Sequence, residues 1–253
     1  MTRTTIRSED ITASEVTTAK MATDPTNATN LASGTVPTAR LGSGTADATT
    51  FLRGDNAWAS AAAGLASVQV FTSSGTWTRP SGITKVIMEV QGAGGSGSEY
   101  GNNDYVCAGS GGGYSKKLLD VSSISTSTIT VGAGGAAATT GAGSNGGLSS
   151  WADGTNTVTG SGGTGGNVSV ANTDIAGGAA TGGDINIIGA NGSGGSTGEG
   201  VSHGSMFGFG NKRAWTGEGH LPNAVGYGGG GAGGYNITSG SGGGGIIIVW
   251  EYK

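Results

Sequence analysis

Seven glycine-rich runs interrupt the C-terminal part of this 253-residue chain, at 92–97, 109–114, 132–147, 160–166, 189–195, 226–234 and 240–245. A stretch without side chains adds nothing to an apolar core, yet each of its backbone N–H and C=O groups needs a partner. Flexible linker is one reading of such composition. Linkers placed repeatedly between apolar segments would each add ordering and loop-closure entropy. The alternative is a stack of polyglycine-II-like segments. A left-handed extended helix makes no internal hydrogen bonds, so its backbone groups point outward. Glycine lets neighbouring backbones come close enough to bond one another. The runs keep no strict three-residue register and only four prolines occur, which excludes collagen.

The apolar segments between the runs read as strands. Val68, Val70 and Phe71 predict one strand, and Lys85 to Val90 a second, with Val86, Met88 and Val90 on one face. Residues 78–82 between them carry turn chemistry. Further strands are expected at 114–120, 127–132, 184–188 and 246–252, so the domain closes on its last strand. Trp77 and Trp250 are expected in the core, while Trp151 is not placed by its neighbours.

Upstream the pattern changes. Residues 1–30 are polar and threonine-rich, with large apolar positions recurring sparsely at Ile6, Ile11, Val16 and Met21 and, just beyond, Leu31. That spacing fits neither a helix nor strict alternation. Residues 31–64 alternate short apolar anchors (Val36, Leu41, Phe51, Leu52, Trp58) with turn formers such as Gly42, Gly44, Gly54 and Asp55. A single chain can scarcely bury so few anchors; several chains along one axis can. The third zone, 65–253, holds 51 of the 56 glycines.

Composition narrows the function. Charged residues make up 11% of the chain, which argues against charge-driven disorder. A net charge of −4 with only 12 scattered basic residues argues against nucleic acid. Cys107 is the one cysteine, so neither an intrachain disulfide nor a cysteine zinc cluster is expected. Residues 1–18 lack the apolar stretch of a secretory signal, and the longest apolar run, Ile246–Trp250, is far too short for a bilayer. Synthesis in a reducing cytoplasm is expected, with no membrane insertion.

At this point a family resemblance enters. LASGTVPTARLGSGTADATTFLRGDNAWA at 31–59 resembles the repeat-bearing shaft of bacteriophage tail fibres, and DITASEVTTAKMA at 10–22 resembles units upstream in them. FTSSGTWTRPSGITKVIMEVQGAGGSG at 71–97, GGGYSKK at 111–117, ITVGAGG at 129–135, GYGGGGAGG at 226–234 and GSGGGGIIIVWEY at 240–252 resemble the glycine-rich C-terminal domain of tail fibres and adhesins. The resemblance implies a mainly-β homotrimer. Residues 1–30 would attach to a tail or baseplate protein and 31–64 would form an intertwined shaft. Residues 65–253 would form a β-sandwich head with polyglycine-II helices. It also implies a virion protein whose head binds a host-cell surface receptor, glycan or protein.

Recognition needs side chains, and two segments break the quiet glycine pattern. The first, 98–107, offers Tyr100, Asn103, Asp104 and Tyr105. The second, 201–227, offers His203, Phe207, Phe209, Trp215 and His220. Aromatic groups give large rigid contact area, and function concentrates on excursions from a rigid scaffold. A local core or a trimer interface is the competing use of Met206, Phe207, Phe209 and Trp215. The two histidines match no compact zinc spacing, so no metal and no cofactor are expected. Arg53-Gly54-Asp55 reads as a turn.

Two other classes compete with a receptor-binding fibre. A purely structural tail component would bury the two segments against virion partners. A tailspike-like glycosidase needs paired carboxylates. Asp104, Asp153, Asp174, Asp184, Glu199 and Glu218 are available, but none sits in a recognisable catalytic motif, and the expectation is a non-enzyme.

Overall fold

The computed structural model describes residues 41–48, 50–60, 64–100, 105–168, 174–195, 201–211 and 223–253. The described chain is mainly β, and it contains no helix. It divides into two units, Met1–Ala62 and Ala63–Lys253. In the first, β1 (Thr50–Leu52) and β2 (Trp58–Ser60) form an antiparallel hairpin. Its turn is closed by the Arg53 N–H bonding Ala57 O at 2.9 Å, and Gly54 and Asp55 occupy the bend. Ser43 lies against the hairpin, accepting from Trp58 N and donating to Asn56 O, both at 2.8 Å.

The second unit contains the remaining strands. Its larger elements are β3 (Leu65–Phe71), β4 (Gly75–Thr78), β5 (Lys85–Gln91), β8 (Tyr114–Asp120), β9 (Thr126–Thr130), β10 (Ser149–Ala152), β11 (Thr157–Gly160) and β18 (Ile246–Tyr252). Shorter ones are β6 (Glu99–Tyr100), β7 (Val106–Cys107), β12 (Ala180–Thr181), β13 (Ile185–Ile187), β14 (Gly194–Gly195), β15 (Phe207–Phe209), β16 (Val225–Tyr227) and β17 (Gly234–Tyr235). Two five-stranded sheets result: sheet I in the order β12-β11-β10-β9-β4, and sheet II in the order β13-β8-β5-β18-β3. Every pairing within them is antiparallel.

Alternation fixes what lies between the sheets. Val86, Met88 and Val90 of β5 stand beside Glu251, Val249 and Ile247 of β18. They are fully buried and share one cluster with Trp77, Ile129, Trp151 and Val158 of sheet I. Trp77 and Trp151 meet with ring centroids 4.8 Å apart. Trp250 is not in this core, contrary to the sequence-based expectation. It belongs to the other face of β18, where it is half-buried and its indole N–H lies 3.4 Å from a Glu89 carboxylate oxygen. The inward position next to it is taken by Glu251, whose carboxylate meets hydrogen-bond donors inside.

Beyond the sheets the glycine runs lie side by side. Run 92–98 is surrounded by others. The N–H groups of Gly92, Gly95 and Ser98 donate to the carbonyls of Gly113, Ser110 and Cys107. Those of Ala93, Ser96 and Glu99 donate to Gly147, Ser144 and Gly141, and those of Gly94 and Gly97 to Gly243 and Gly240. All span 2.8–3.1 Å. The carbonyls of the same run accept from Gly163 and Gly166, from Gly135, and from Gly231 and Gly234. The direction of bonding therefore repeats every third residue, the period of an extended helix with three residues per turn. Glycine is needed here for contact rather than for an unusual backbone angle. No glycine of run 92–97 has a positive φ, yet a Cβ on Gly94 would run into the carbonyl of Gly229.

One side chain joins this layer to sheet II. The buried Gln91 amide donates to Gly112 O at 2.8 Å and to Gly92 O at 3.0 Å. Ser115 joins the two sheets, donating to Thr159 O at 2.6 Å.

Candidate functional site

The glycine runs have two ends, and the side chains that interrupt them sit at different ones. Run 228–234 lies alongside run 92–98: Gly231 bonds Gly95 and Gly234 bonds Ser98, while the Gln91 amide abuts Gly228. The end at 91–92 adjoins sheet II; the end at 98–99 points away from it.

At the sheet end, β15 and β16 form a hairpin in which Phe207, Gly208 and Phe209 pair with Tyr227, Gly226 and Val225. Gly226 adopts φ +81°, a conformation that favours glycine, so the strand can turn directly into run 228–234. Several bonds tie the hairpin down. The Ser205 hydroxyl donates to Tyr227 O, Ser205 N bonds Gly208 O at 2.7 Å, and the Ser202 hydroxyl donates to Asn211 O. On the β16 side Ala224 N bonds Ser241 O, and Ser241 N bonds the Asn223 amide oxygen, both at 2.9 Å.

The two phenylalanines of this hairpin differ. Phe207 is half-buried and meets the Tyr114 ring edge-on, with centroids 5.7 Å apart. Phe209 is 77% exposed, with Val225 opposite it also exposed. His203 is exposed on the run that leads to the hairpin. Below the hairpin lies an apolar groove of about 270 Å³ lined by Tyr114, Ile187, Ile188, Ala190 and Met206. The Tyr114 hydroxyl donates to Glu89 at 3.1 Å; burial and the adjoining carboxylate push its pKa above the ordinary tyrosine value, so it stays protonated.

At the far end, Tyr100 in β6 pairs in parallel with Tyr235 in β17. Tyr105 follows, half-buried, immediately before β7, which pairs with β14. Among the described residues, Tyr100 and the Phe207–Phe209 hairpin are therefore not brought together. They are separated by about six residues of extended run, on the order of 20 Å at a rise of about 3.1 Å per residue. Asn103, Asp104, Trp215 and His220 lie outside the described residues, as do Glu199 and Glu218. Tyr227, Tyr235 and Tyr114 were not singled out by sequence. Tyr227 closes the 201–227 segment but lies inside a glycine run, and Tyr235 only flanks that run, with its partner Tyr100 far along the chain.

A second depression, of about 360 Å³, lies between the 120–126 and 153–156 turns and is polar: Asp120, Ser123, Asp153, Thr155 and Asn156 line it. Each carboxylate caps its own turn, Asp120 bonding Ser122 N at 2.9 Å and Asp153 bonding Thr155 N at 2.8 Å. The Ser122 bonds hold Asp120 below its ordinary pKa. Burial pushes Asp153 up, but bonds from Asn156 and Thr155 outweigh it and leave it lowered. Neither carboxyl is thus raised in the manner of a glycosidase general acid. No group of three metal-ligating side chains occurs among the described residues. No protein-family model matches the chain, and no curated protein matches it.

Proposed function

We propose that this chain is a phage tail-fibre protein that attaches the virion to a host-cell surface receptor through residues 65–253. In this reading the chain is a homotrimer. Residues 1–30 hold a tail or baseplate protein, residues 31–64 form an intertwined shaft, and the two sheets with their polyglycine-II-like layer form a sandwich head. The observation that carries it is the exposed Phe209, held on a hairpin that is bonded into a backbone-paired scaffold. A rigid support with few side chains, presenting an aromatic group to solvent, is suited to recognition. Aromatic faces stack on sugar rings, and several heads per particle convert weak single contacts into firm attachment by avidity.

The test is binding of the purified full chain to a panel of bacterial cells. Phe209→Ala and Tyr227→Ala probe the hairpin; Tyr100→Ala and Tyr105→Ala probe the far end. Loss of binding in the first set, with melting unchanged, supports the hairpin as the contact. Loss only in the second moves the contact to the far end. If the wild type binds no cell surface, the receptor reading falls and a structural tail component takes its place. Sustained release of reducing ends from surface polysaccharide would instead indicate a glycosidase.

A further inference from the structure

The outer faces of the two sheets differ in kind. Sheet I turns threonine and serine outward: Thr76, Thr78, Thr126, Thr128 and Thr157 are exposed. That is the ordinary solvated face of an antiparallel sheet. Sheet II does the reverse. Strand register sets Val68, Trp250, Ile87 and Leu118 in one row across four strands. The adjoining row runs Val70, Ile248, Glu89, Lys116 and Ile185. Val70 and Leu118 are each 55% exposed, and Val68 and Ile185 are exposed beside them.

The one carboxylate in the middle of this face is already satisfied. Glu89 takes Lys116 Nζ at 3.0 Å, the Tyr114 hydroxyl at 3.1 Å and the Trp250 indole N–H at 3.4 Å. The face is therefore apolar and self-neutralised, and it asks for no complementary charge from a partner. Four strands of seven residues and the three-residue β13, at about 4.8 Å spacing and about 3.3 Å rise, give a footprint on the order of 500 Å². That approaches the roughly 800 Å² that one partner contributes to a specific interface. Apolar centres with few charges are the mark of contacts between copies of one chain rather than of transient encounters.

We infer that the outer face of sheet II is the surface on which another copy of this chain packs. The inference rests on the multichain part of the proposed function and names the face that such an assembly uses; the receptor contact at the hairpin does not depend on it.

The experiment uses the purified full chain. Light scattering gives its mass against the 24.3 kDa of one chain. Maleimide labelling then compares Leu118→Cys on sheet II with Thr128→Cys on sheet I, the labelled thiol being located by peptide mapping. The expected result is a multiple of the single-chain mass and at least tenfold slower labelling at 118 than at 128. Adding Val70→Glu to the Leu118→Cys chain should open the face and raise labelling at 118 with unchanged circular dichroism, even where the shaft keeps the chains together; should that variant not fold, the labelling ratio decides alone. A wild type of single-chain mass overturns both this inference and the multichain reading. A multichain wild type that labels equally fast at both positions overturns the face and leaves the multichain reading intact.

Discussion

The indole N–H of Trp77 donates to the Glu251 carboxylate at 2.7 Å across the core, linking sheet I to sheet II. Gln69 adds a second bond to the same oxygen at 2.7 Å, and the Ser67 hydroxyl bonds the other oxygen. Glu251 is fully buried, so its replacement strands the buried Trp77 indole N–H, while the exposed Ser67 and half-buried Gln69 can turn to water. Glu251→Ala should lower stability by about 1–3 kcal/mol, the cost of one stranded buried donor, with little added by the solvent-accessible Ser67 and Gln69. Glu251→Gln keeps one acceptor oxygen and should cost less. Urea midpoints of the two variants check this; equal stability of wild type and Glu251→Ala would contradict the clamp.

The same residue explains where sequence reading stopped. The strands at 85–91, 114–120 and 246–252 are legible because they combine apolar content with length. Strands β10 and β11 are not, because SSWA and TVTG each carry one large apolar residue and the cross-strand partners of Trp151 and Val158 supply the rest, whereas Trp77 of β4 is expected in a strand and in the core and is found there. In β18 hydropathy points the wrong way. Trp250 looks internal and Glu251 external, and only donors nearly the whole second unit away in sequence, at 67, 69 and 77, reverse them. The pairing of glycine runs through their backbones follows from composition, but which run neighbours which does not. For that reason the sequence groups Tyr100 and Phe209 as one kind of segment, while the fold sets them at opposite ends of the runs.

Close contact between runs makes a sharp prediction for single glycines. At Gly94 a Cβ would collide with backbone, which cannot swing aside as a side chain would. Gly94→Ala should therefore destabilise by about 3 kcal/mol or prevent folding, at or beyond the upper end of ordinary overpacking. Gly75 in β4 has open space around it and no positive φ. Gly75→Ala should be neutral or stabilising by about 0.4–1 kcal/mol, through the unfolded chain. Thermal melts of the pair separate contact from conformational freedom as the role of glycine in the runs.

Acid should loosen the turn between β10 and β11. The folded-state pKa of Asp153 is depressed, so its stabilisation is complete above the unfolded value and fades as pH falls through the folded one. The stability gap between wild type and Asp153→Ala should be constant near neutral pH and close below about pH 4. Denaturant titrations at a series of pH values measure it. A gap that widens in acid would show the sign to be wrong.

Cys107 reports on the glycine layer itself. Its thiol is buried in β7, 3.3 Å from the Asn167 side-chain oxygen, and its backbone N–H bonds the Ser98 hydroxyl at 2.9 Å. Burial pushes the thiol pKa up, which removes the thiolate that reacts with disulfide reagents. Access and ionisation therefore act in the same direction. At pH 8 the folded chain should react orders of magnitude more slowly than the chain in denaturant, which should take up one equivalent. Because the backbone bond from Ser98 to Cys107 belongs to the three-residue cycle of run 92–98, the thiol becomes available only when those runs separate. Gly94→Ala, if it folds, should then raise the native labelling rate, whereas Gly75→Ala should leave it unchanged; equal rates in the two variants would mean that the layer opens independently of its packing at Gly94.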